Sequence, residues 1–487
     1  MHDGSDQSTS NAHEDIDNQN RNEFTPLYTN VFDTGTLRLI IGFFFGFSVT
    51  VTIALGIQMY YGNTQVVVHG SVVSDNGQCS EIGAAIMKQG GNAVDAIIAV
   101  AFCMGIVNPH ITGLGSGGLM LIYDQRQRKL LNVIDFRVTR SNHTVVGVPG
   151  FVAGLHLAHK LHGLLPWKQL VLPAEFVART GFRVSSNLIN SFSSLVKNMT
   201  NQHLKEHFSS LLLNQVMTNP DLADTLLHIA TTDVAEFYNT ILVDELRGFL
   251  DIEDIVNYKA FKSIGMKSSF LHYDIIVPGH GSGGSFLVNN LNLINNSLSP
   301  LVSAVEGFKT VADGWQSSVA SHIATMDIAD LYVTMVSGLG FEFGSQILTK
   351  SGFILNNMLE ITKDETQRPT VLLTPAIALQ SNKVCGRRLL LGAGDVRDAV
   401  QALISLLREP FVNIIESIES PRVRIITPKL AVDEYHKISK KDNEILSKDF
   451  IIINQTTYFP SINVIEKIND TMTAYADSRG SGYAVVF

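Results

Sequence analysis

Hydrophobic and polar positions divide the chain into three stretches. Residues 1–38 are rich in Asn, Asp, Ser and Gln and poor in aromatic residues, a composition typical of disorder. Leu39–Tyr61 is an uncharged apolar run of 23 residues, which at about 1.5 Å per residue suffices to cross a hydrocarbon core of about 30 Å. From residue 62 onward, apolar segments alternate with polar turns, and this pattern predicts a folded domain.

The apolar run favours a membrane anchor over a cleaved signal peptide. It follows 38 polar residues, lacks a small-residue cleavage pattern and is longer than the apolar region of a signal peptide; a buried core helix is the alternative. Arg21 and Arg38 precede it, and the next basic residue after it is Lys88, so the positive-inside bias places the N-terminus in the cytosol. The sequence predicts a type II membrane protein with a cytosolic disordered tail at 1–38, a transmembrane signal anchor at 39–61 and an ectodomain at 62–487, lumenal or extracellular.

Strands and helices intermix along the predicted ectodomain. A strand is expected up to Ser74, a helix capped by Ser80, and a second, buried helix capped by Asn92 and running to about Gly105. The Gly-rich loop Gly113–Gly118 precedes a strand and does not open a helix. A nucleotide-binding glycine loop lies between a strand and the helix that it opens, so this loop is not interpreted as a nucleotide site. The mixture predicts an α+β layered sandwich. Further strands are expected at 119–123, 129–136, 268–277, 319–326, 331–337, 371–379 and 389–391, and helices at 286–294 and 396–407.

Composition restricts the kinds of partner and the cellular compartment that the sequence predicts. The 487 residues are 45% hydrophobic with a formal net charge of -9, and without a basic stripe a nucleic-acid partner is not expected. The sequence predicts no metal and no cofactor. Of the three cysteines, an oxidising compartment would permit one bridge and leave one free thiol. Five Asn-x-Ser/Thr sequons agree with an ectodomain and predict glycosylation: Asn142, Asn198, Asn295, Asn454 and Asn469.

Several motifs lie in one order between residues 66 and 482. The first hundred ectodomain residues carry the most specific of them, and later ones are Phe343-Gly-Ser345, Asn356-Asn357 and Asp477-Ser-Arg479. Together they resemble the gamma-glutamyltransferases (glutathione hydrolases), and the pattern looks most like the divergent type-7 branch of that family. The early motifs are Cys79-Ser-Glu-Ile-Gly83, Gly90-Gly-Asn-Ala-Val-Asp95, Asn108-Pro109, the Gly113–Gly118 loop, Asp135-Phe-Arg137, Val148-Pro-Gly150 and Leu165-Pro-Trp167.

The resemblance implies a fold and a chemistry. It implies the αββα sandwich of an N-terminal-nucleophile hydrolase and a disulfide between Cys79 and Cys103, for which two buried thiols are the alternative. The family cleaves the gamma-glutamyl amide of glutathione with a threonine hydroxyl, and the new N-terminal amine of that threonine serves as the base. A gamma-glutamyl or glutamate-like ligand is therefore the expected small molecule.

Most of the residues that would carry this chemistry are replaced. The Phe343-Gly-Ser345 match sets a register in which Ala320 stands at the nucleophilic threonine, and a methyl group cannot attack a carbonyl. Ser321 is the fallback, but neighbours on a strand point to opposite faces, and a slip of one residue would flip every flanking side chain. His322 matches a family histidine, and a structural role is expected for it. Glu360 keeps an acidic group where the family has aspartate, whereas Ile361 does not. In the same register, the resemblance implies that Gly338 and Gly340 replace a threonine and an asparagine, and that Met358 replaces a glutamate that would hold the substrate ammonium. Val371 and Leu372 replace a serine pair that would grip the substrate carboxylate, and Asp395 and Val396 replace the paired glycines of the oxyanion hole.

Arg137 is the main substrate-binding residue of the family pattern that this sequence retains. It matches the arginine that clamps the glutamyl carboxylate, and its forked guanidinium suits that task; an internal salt bridge with Asp135 is the alternative. Only 35 residues separate Gly284 from Ala320, where the family has several dozen more. Two hypotheses follow: a catalytically impaired domain that binds or scaffolds, or an active gamma-glutamyl hydrolase or transferase that uses Ser321 or a shifted register. Either one requires Ala320, Arg137 and Asp395 to converge on one cleft.

Overall fold

The computed structural model describes residues 34–61, 69–141, 144–199, 201–294, 298–311, 318–362, 365–408, 413–426, 428–433, 437–455 and 461–487. The chain divides into two units, Met1–Val66 and Val67–Phe487. The first unit contains the helix α1 (Thr34–Tyr61). Its segment Leu37–Ile57 has a mean hydropathy of 2.2 and is not buried by protein, so it is long and apolar enough to cross a membrane. It coincides closely with the predicted anchor and is a candidate membrane span.

The second unit contains the remaining described elements. Its helices are α2 (Gly77–Lys88), α3 (Ala93–Val107), α4 (Phe151–His162), α5 (Trp167–Thr180), α6 (Ser186–Leu195), α7 (Gln202–Phe208), α8 (Pro220–Thr231), α9 (Val234–Asn239), α10 (Ile241–Leu246), α11 (Ile252–Val256), α12 (Gly283–Leu293), α13 (Pro300–Val311), α14 (Val396–Leu407), α15 (Ile414–Ile418) and α16 (Lys440–Leu446). Its strands are β1 (Gly70–Ser74), β2 (Gly117–Asp124), β3 (Lys129–Asp135), β4 (Phe182–Arg183), β5 (Val216–Met217), β6 (Phe261–Ser263), β7 (Gly265–Phe270), β8 (Tyr273–Pro278), β9 (Val319–Asp327), β10 (Leu331–Gly340), β11 (Thr374–Gln380), β12 (Arg388–Ala393), β13 (Val423–Ile426), β14 (Lys429–Asp433), β15 (Ile451–Gln455), β16 (Val464–Ile468), β17 (Thr471–Tyr475) and β18 (Tyr483–Val486).

Two large sheets form the middle of the fold. The first has the strand order β18-β1-β9-β10-β2-β3-β6 and the second the order β17-β16-β12-β11-β8-β7. Helices α2, α3, α4, α5 and α8 contribute to one apolar core on the outer face of the first sheet, while α12 and α14 contribute to another beside the second. A third core of residues from both sheets lies between them. The predicted αββα sandwich is therefore confirmed.

The alternation of side chains on β9 separates two of these layers. Ala324 and Met326 enter the core between the sheets, whereas Ile323 enters the helix-side core and Thr325 donates its hydroxyl to the carbonyl of Ala93 at the start of α3. Residues of even number on β9 thus face the second sheet, and residues of odd number face the helices, as the period of two along a strand requires. Ala320 and Ser321 accordingly belong to opposite faces.

Two predicted elements are wrong in detail. Asn76, not Ser80, caps α2, because its side chain accepts from the N–H of Cys79; Ser80 lies inside the helix and donates to the carbonyl of Tyr483. The segment predicted as a single strand at 268–277 is a hairpin of β7 and β8, with Leu271 at φ +53° in the turn. A hairpin of alternating residues with a tight, glycine-free turn carries little turn signal in the sequence.

The predicted cap of α3 and the predicted disulfide are both present. Asn92 accepts from the N–H of Asp95, and Asp95 accepts from the N–H of Asn92, so the two form a capping box. Cys79 on α2 is bonded to Cys103 on α3, with 5.5 Å between their Cα atoms, and Cys385 is free and exposed. The bridge joins the two helices that lie closest to β1 and β9.

Three of the five predicted sequons lie on the surface of the described structure. Asn198, Asn454 and Asn469 are exposed. Asn142 and Asn295 lie outside the described residues. The three exposed asparagines are accessible to modification, and their glycosylation stays a prediction.

Candidate functional site

Ala320 lies at the second residue of β9, on the face that looks toward the other sheet. It is only 7% exposed. Its neighbours are Leu119, Val138, Val336, Met358, Leu359, Val371 and Leu373, which with Ala320 form one buried apolar cluster. We call this set the Ala320 cluster. It contains two of the residues that stand where the resemblance places substrate-gripping polar groups, Met358 and Val371.

The glycine before Asp395 lies directly against Ala320. A Cβ atom added to Gly394 would lie 2.6 Å from the backbone nitrogen of Ala320, so this position accepts only glycine without a shift of the backbone. Ser318 donates its hydroxyl to the carbonyl of Gly394 at 2.5 Å. The strand that carries Ala320 and the loop before α14 are thus in contact, as the predicted register requires.

Asp395 is engaged as a helix cap. Its carboxylate accepts from the backbone N–H of Arg397 at 2.9 Å and forms a salt bridge with the Arg397 guanidinium at 2.5 Å. Burial alone would raise the pKa of Asp395, but the Arg397 charge and hydrogen bonds hold that pKa below its usual value. Asp395 is therefore ionised and paired, and Arg397 offsets its negative charge.

Arg137 is buried beside the same cluster, and its guanidinium is bound by acceptors of the protein itself. It forms a salt bridge with Asp135 at 2.7 Å, and its Nε also donates to that carboxylate. Its Nη1 donates to the carbonyl of Gly281 at 2.5 Å and to the carbonyl of Pro369 at 2.9 Å. The internal salt bridge that the sequence left open is present, and two backbone carbonyls accept where a ligand carboxylate would.

One carbonyl connects Arg137 to the Ala320 cluster. Gly281 O accepts from Arg137 and also from the backbone N–H of Val371, and Val371 is a member of the cluster. A Cβ atom at Gly281 would lie 2.2 Å from Arg137 Nη1. Gly281 also has φ +81°, a conformation that glycine adopts readily. Both features favour glycine at this position. Arg137 is therefore linked through Gly281 and Val371 to the Ala320 cluster, which the loop before Asp395 contacts at Ala320.

Ser321 lies on the opposite face of β9 and is completely buried. Its hydroxyl donates to Asp75 Oδ2 at 2.9 Å. The same carboxylate accepts from the N–H of His322, from the Ser461 hydroxyl at 2.6 Å and from the Asn463 amide at 2.7 Å. Burial raises the pKa of Asp75, although all four hydrogen bonds act in the opposite direction. Ser321 is thus one donor in a closed polar cluster centred on Asp75.

Asp75 is a residue that the sequence reasoning missed. It follows β1 at the point where the chain turns into α2, and its four partners come from residues 321, 322, 461 and 463. A lone aspartate after a strand carries no signal of such a cluster, because its partners are distant along the chain. The cluster ties β1, β9 and the segment before β16 together.

Two histidines near this end of the sheet are buried and neutral. His322 bonds Thr334 Oγ1 through Nε2 at 2.9 Å, which supports the expected structural role. His110 packs its ring against Phe343, and neither of its nitrogens has a hydrogen-bond partner among the described residues. Burial lowers the pKa of each histidine to about 3.

The remaining substituted positions have local explanations. A Cβ atom at Gly338 would lie 2.8 Å from the methyl group of Ala320, and Gly340 has φ +111° with the Asn357 side chain against it. Glu360 accepts from the Asn357 amide at 2.9 Å, while Ile361 is buried. Polar side chains at the two glycines would therefore displace their neighbours in this packing.

Neither a metal centre nor an open cleft is found at this end within the described residues. No group of three or more His, Cys, Asp or Glu side chains is placed to hold a metal ion across that part of the chain. Four cavities of about 270–560 Å³ lie elsewhere, and their described walls include neither Ala320 nor Arg137. In the described structure, the region around Ala320 is filled by side chains.

Comparisons with known proteins agree on the family. The family model described as gamma-glutamyltranspeptidase matches residues 79–312 and 296–487. Glutathione hydrolase 7 of Mus musculus is 29% identical over 462 residues, and the match covers 74% of this chain and 70% of the relative; the protein of the same name from Homo sapiens is 28% identical over the same coverage. Cephalosporin acylase from Bacillus halodurans has the same fold, with a TM-score of 0.74, 17% identity, and coverage of 86% of this chain and 96% of that one. The chain belongs to the gamma-glutamyltransferase family.

Proposed function

We propose that this chain is a single-span type II membrane glycoprotein whose gamma-glutamyltransferase-like ectodomain is catalytically impaired and acts by binding or scaffolding a partner. The observation that carries the proposal is the environment of Ala320. The nucleophile position holds a methyl group, and that methyl group is packed among seven buried apolar side chains.

Two further observations support the loss of turnover. The guanidinium of Arg137 is engaged by Asp135 and two backbone carbonyls. Residues Met358 and Val371 replace groups that would grip the substrate ammonium and carboxylate, and both are almost completely buried. An enzyme accelerates a reaction only through groups that stabilise its transition state. A site that lacks both the nucleophile and the substrate-binding groups is therefore expected to have lost its turnover.

The rival function is an active gamma-glutamyl hydrolase or transferase that uses Ser321. Its strongest support is the hydrogen bond from Ser321 to a carboxylate, since a neighbouring base can activate a hydroxyl. Against it, Ser321 has no exposed surface and faces the helix layer, away from Arg137. A register shift would carry Ile323 and Thr325 out of their present contacts as well.

The deciding experiment is an assay of the purified full chain with gamma-glutamyl p-nitroanilide. We expect no release of nitroaniline above buffer, and an active family member in the same assay serves as the positive control. Turnover that Ser321→Ala abolishes would overturn the proposal in favour of the rival. Ala320→Thr is the matched variant, and we expect it to stay inactive because Met358 and Val371 remain.

A gamma-glutamyl or glutamate-like molecule is the ligand that the family relation favours. Binding requires Arg137 to exchange the carbonyls of Gly281 and Pro369 for a carboxylate, so we expect weak binding. Calorimetry with glutamate and with glutathione measures it, and Arg137→Lys, which keeps the charge but not the fork, should weaken it further. Absence of binding to the wild-type chain would remove this ligand class and leave a protein partner.

The membrane orientation has its own test. Type II topology places residues 62–487 outside the cytosol, so Asn198, Asn454 and Asn469 should accept glycans in cells. Glycosidase treatment should reduce the apparent mass, and Asn454→Gln should remove one glycan. A chain without glycans whose ectodomain is digested by protease from the cytosolic side would contradict this orientation.

A further inference from the structure

One of these four cavities opens between the two sheets at the end of the sandwich opposite Ala320. It has a volume of about 330 Å³. Its walls come from the ends of β2 and β3, from the β7–β8 hairpin and from the β11–β12 turn. We call it the cationic cavity. Its apolar wall includes Leu130, Ile276 and Leu379, which also belong to or pack against the core between the sheets.

Positive charge prevails around this cavity, in a chain whose net charge is -9. Arg128, Lys267 and Lys383 line it together with one carboxylate, that of Asp274. Lys267 forms a salt bridge with Asp274 at 2.9 Å, and Ser269 and Ser381 also donate to that carboxylate. The single negative group is therefore already satisfied within the protein.

Three further donors at this cavity have no partner among the described residues. The side chains of Arg128, Lys383 and Asn382 form no hydrogen bond or ion pair with any described residue, whereas Arg126 in the same turn as Arg128 donates to the carbonyl of Ile328. Tyr123 lines the cavity, is 5% exposed and likewise has no hydrogen-bond partner for its hydroxyl among the described residues. Arg128, Asn382 and Lys383 are exposed, and together with the Tyr123 hydroxyl they are available to donate to a ligand in the cavity.

The ring of Tyr123 is held in place by its neighbours. It stacks on Tyr332, with 6.3 Å between the ring centroids, and the Tyr332 hydroxyl donates to Asp330 at 2.9 Å. Burial raises the pKa of Tyr123, while the charge of Arg128 acts in the opposite direction. The Tyr123 hydroxyl therefore keeps its proton at neutral pH and remains a donor.

The backbone at two of the other donors adopts an uncommon conformation. Arg128 has φ +51° and Asn382 has φ +59°, and the left-handed region is disfavoured for an arginine. The turn β2–β3 and the turn β11–β12 thus both present a polar side chain from a left-handed residue to the same cavity.

We propose that the cationic cavity binds a small amphipathic anion, an organic carboxylate or phosphate ester with an apolar body. The anionic group would accept from Arg128, Lys383 and Tyr123. The apolar body would lie against Leu130, Ile276 and Leu379, next to the core between the sheets. This site is distinct from the Ala320 region, which lies at the opposite end of the same strands.

The test is calorimetry on the full chain in nanodiscs of zwitterionic lipid, with hexanoate, hexanamide and inorganic phosphate as probes and empty discs as the blank. We expect saturable binding of hexanoate at one site per chain, weaker binding of phosphate and none of hexanamide. Affinity should fall as salt is raised, because charges at the protein surface are screened. A fluorophore on Cys385, the one cysteine outside the disulfide, should report hexanoate by a spectral shift, since Cys385 lies in the same turn as Lys383.

Matched variants separate a built site from general surface charge. Arg128→Gln with Lys383→Gln should weaken hexanoate binding about tenfold or more, as two charge-assisted contacts are lost; Arg126→Gln should leave it unchanged. The proposal is overturned if wild-type chain binds no hexanoate, if hexanamide binds equally well, if phosphate binds more tightly than hexanoate, or if Arg126→Gln has the same effect as the double variant. Near-ultraviolet circular dichroism of each variant checks that the fold is kept.

Discussion

The two ends of the sandwich have opposite characters, although the same strands build both. At one end β9, β10 and β2 place Ala320, Val336 and Leu119 in a closed apolar cluster. Four residues further along β2, or about 14 Å at 3.4 Å per residue, Tyr123 lines an open cavity. The register of β10 on β2, with Val336 opposite Leu119 and Tyr332 opposite Tyr123, fixes this separation.

Under the proposed function, the difference shows what replacement of an active site does to a fold. Polar groups that lose their substrate are costly when buried, and at the Ala320 end the positions of the grip are now apolar or, in the case of Arg137, paired internally. At the Tyr123 end, Arg128, Asn382 and Lys383 have no hydrogen-bond or ion-pair partner among the described residues. Under the proposed function, the loss of catalysis at one end therefore does not imply that the folded domain binds nothing.

The largest effect should come from a charge placed in the Ala320 cluster. Met358→Glu restores the acidic group that the family resemblance assigns to this position, but residue 358 is completely buried among apolar side chains. We expect the free energy of unfolding to fall by about 3–5 kcal/mol. Lys383→Glu at the open end is the control, with an expected change within about 0.5 kcal/mol. Equal losses in thermal unfolding of the two variants would show that the Ala320 end is not a closed apolar site.

Acid should destabilise the closed end through its two neutral histidines. His110 and His322 have pKa values of about 3 in the folded protein and of about 6.5 in the unfolded chain. Between pH 6.5 and pH 3, the unfolded state therefore binds protons that the folded state does not bind. Stability is full above pH 6.5 and falls as the pH is lowered toward 3, with a slope approaching about 1.4 kcal/mol per pH unit for each histidine.

Denaturant titrations between pH 7 and pH 4.5 measure this slope. His110→Phe and His322→Gln should each remove about half of the pH dependence of stability that the two histidines cause together. His110→Phe also removes two unpaired nitrogens. An unchanged slope in both variants would mean that the two rings are charged in the folded state.

Ser321→Ala should weaken the polar cluster of Asp75. It removes one of four donors to a buried carboxylate, and hydrogen bonds to charged groups contribute about 1.5–3 kcal/mol. We expect a loss of stability of that size in chemical denaturation and no change in any enzymatic activity. A neutral effect on stability together with a loss of turnover would reverse the assignment of Ser321 as structural.

The smallest effect should come from Tyr123→Phe. Its hydroxyl has no partner among the described residues, so the unfolding free energy should change by less than about 0.5 kcal/mol. Tyr332→Phe, in the ring stacked on it, breaks a bond to Asp330 and should lose about 1.5–3 kcal/mol. Similar losses in both variants would show that Tyr123 already has a partner, which would remove the contrast between the two ends.

The fold was predictable from local signals and from motifs that keep their order. Asn92 predicts the start of α3, and the Phe343-Gly-Ser345 match sets the register that puts Ala320 at the nucleophile position. Ser80 was the wrong cap because Asn76, four residues earlier, is an equally good capping residue. The β7–β8 hairpin was missed because Leu271 in its turn carries no turn signal.

The chemistry outside the family site was not predictable in this way. The partners of Asp75 come from residues 321, 461 and 463, and the walls of the cationic cavity from residues 123, 128 and 383. Such sites depend on pairings between strands that are far apart in the sequence. Only the assembled sheets show that Tyr123 and Lys383 share a cavity, and only the packing shows that Arg137 is already engaged.

The most direct test of the central claim is the intact mass of the full chain, measured under denaturing conditions after incubation with gamma-glutamyl p-nitroanilide and an acid quench. A family enzyme that follows the nucleophilic route must carry a covalent acyl group during turnover. We predict one unprocessed chain with no added gamma-glutamyl mass. An acyl adduct on any side chain, or two fragments from cleavage before residue 320 or 321, would contradict the account.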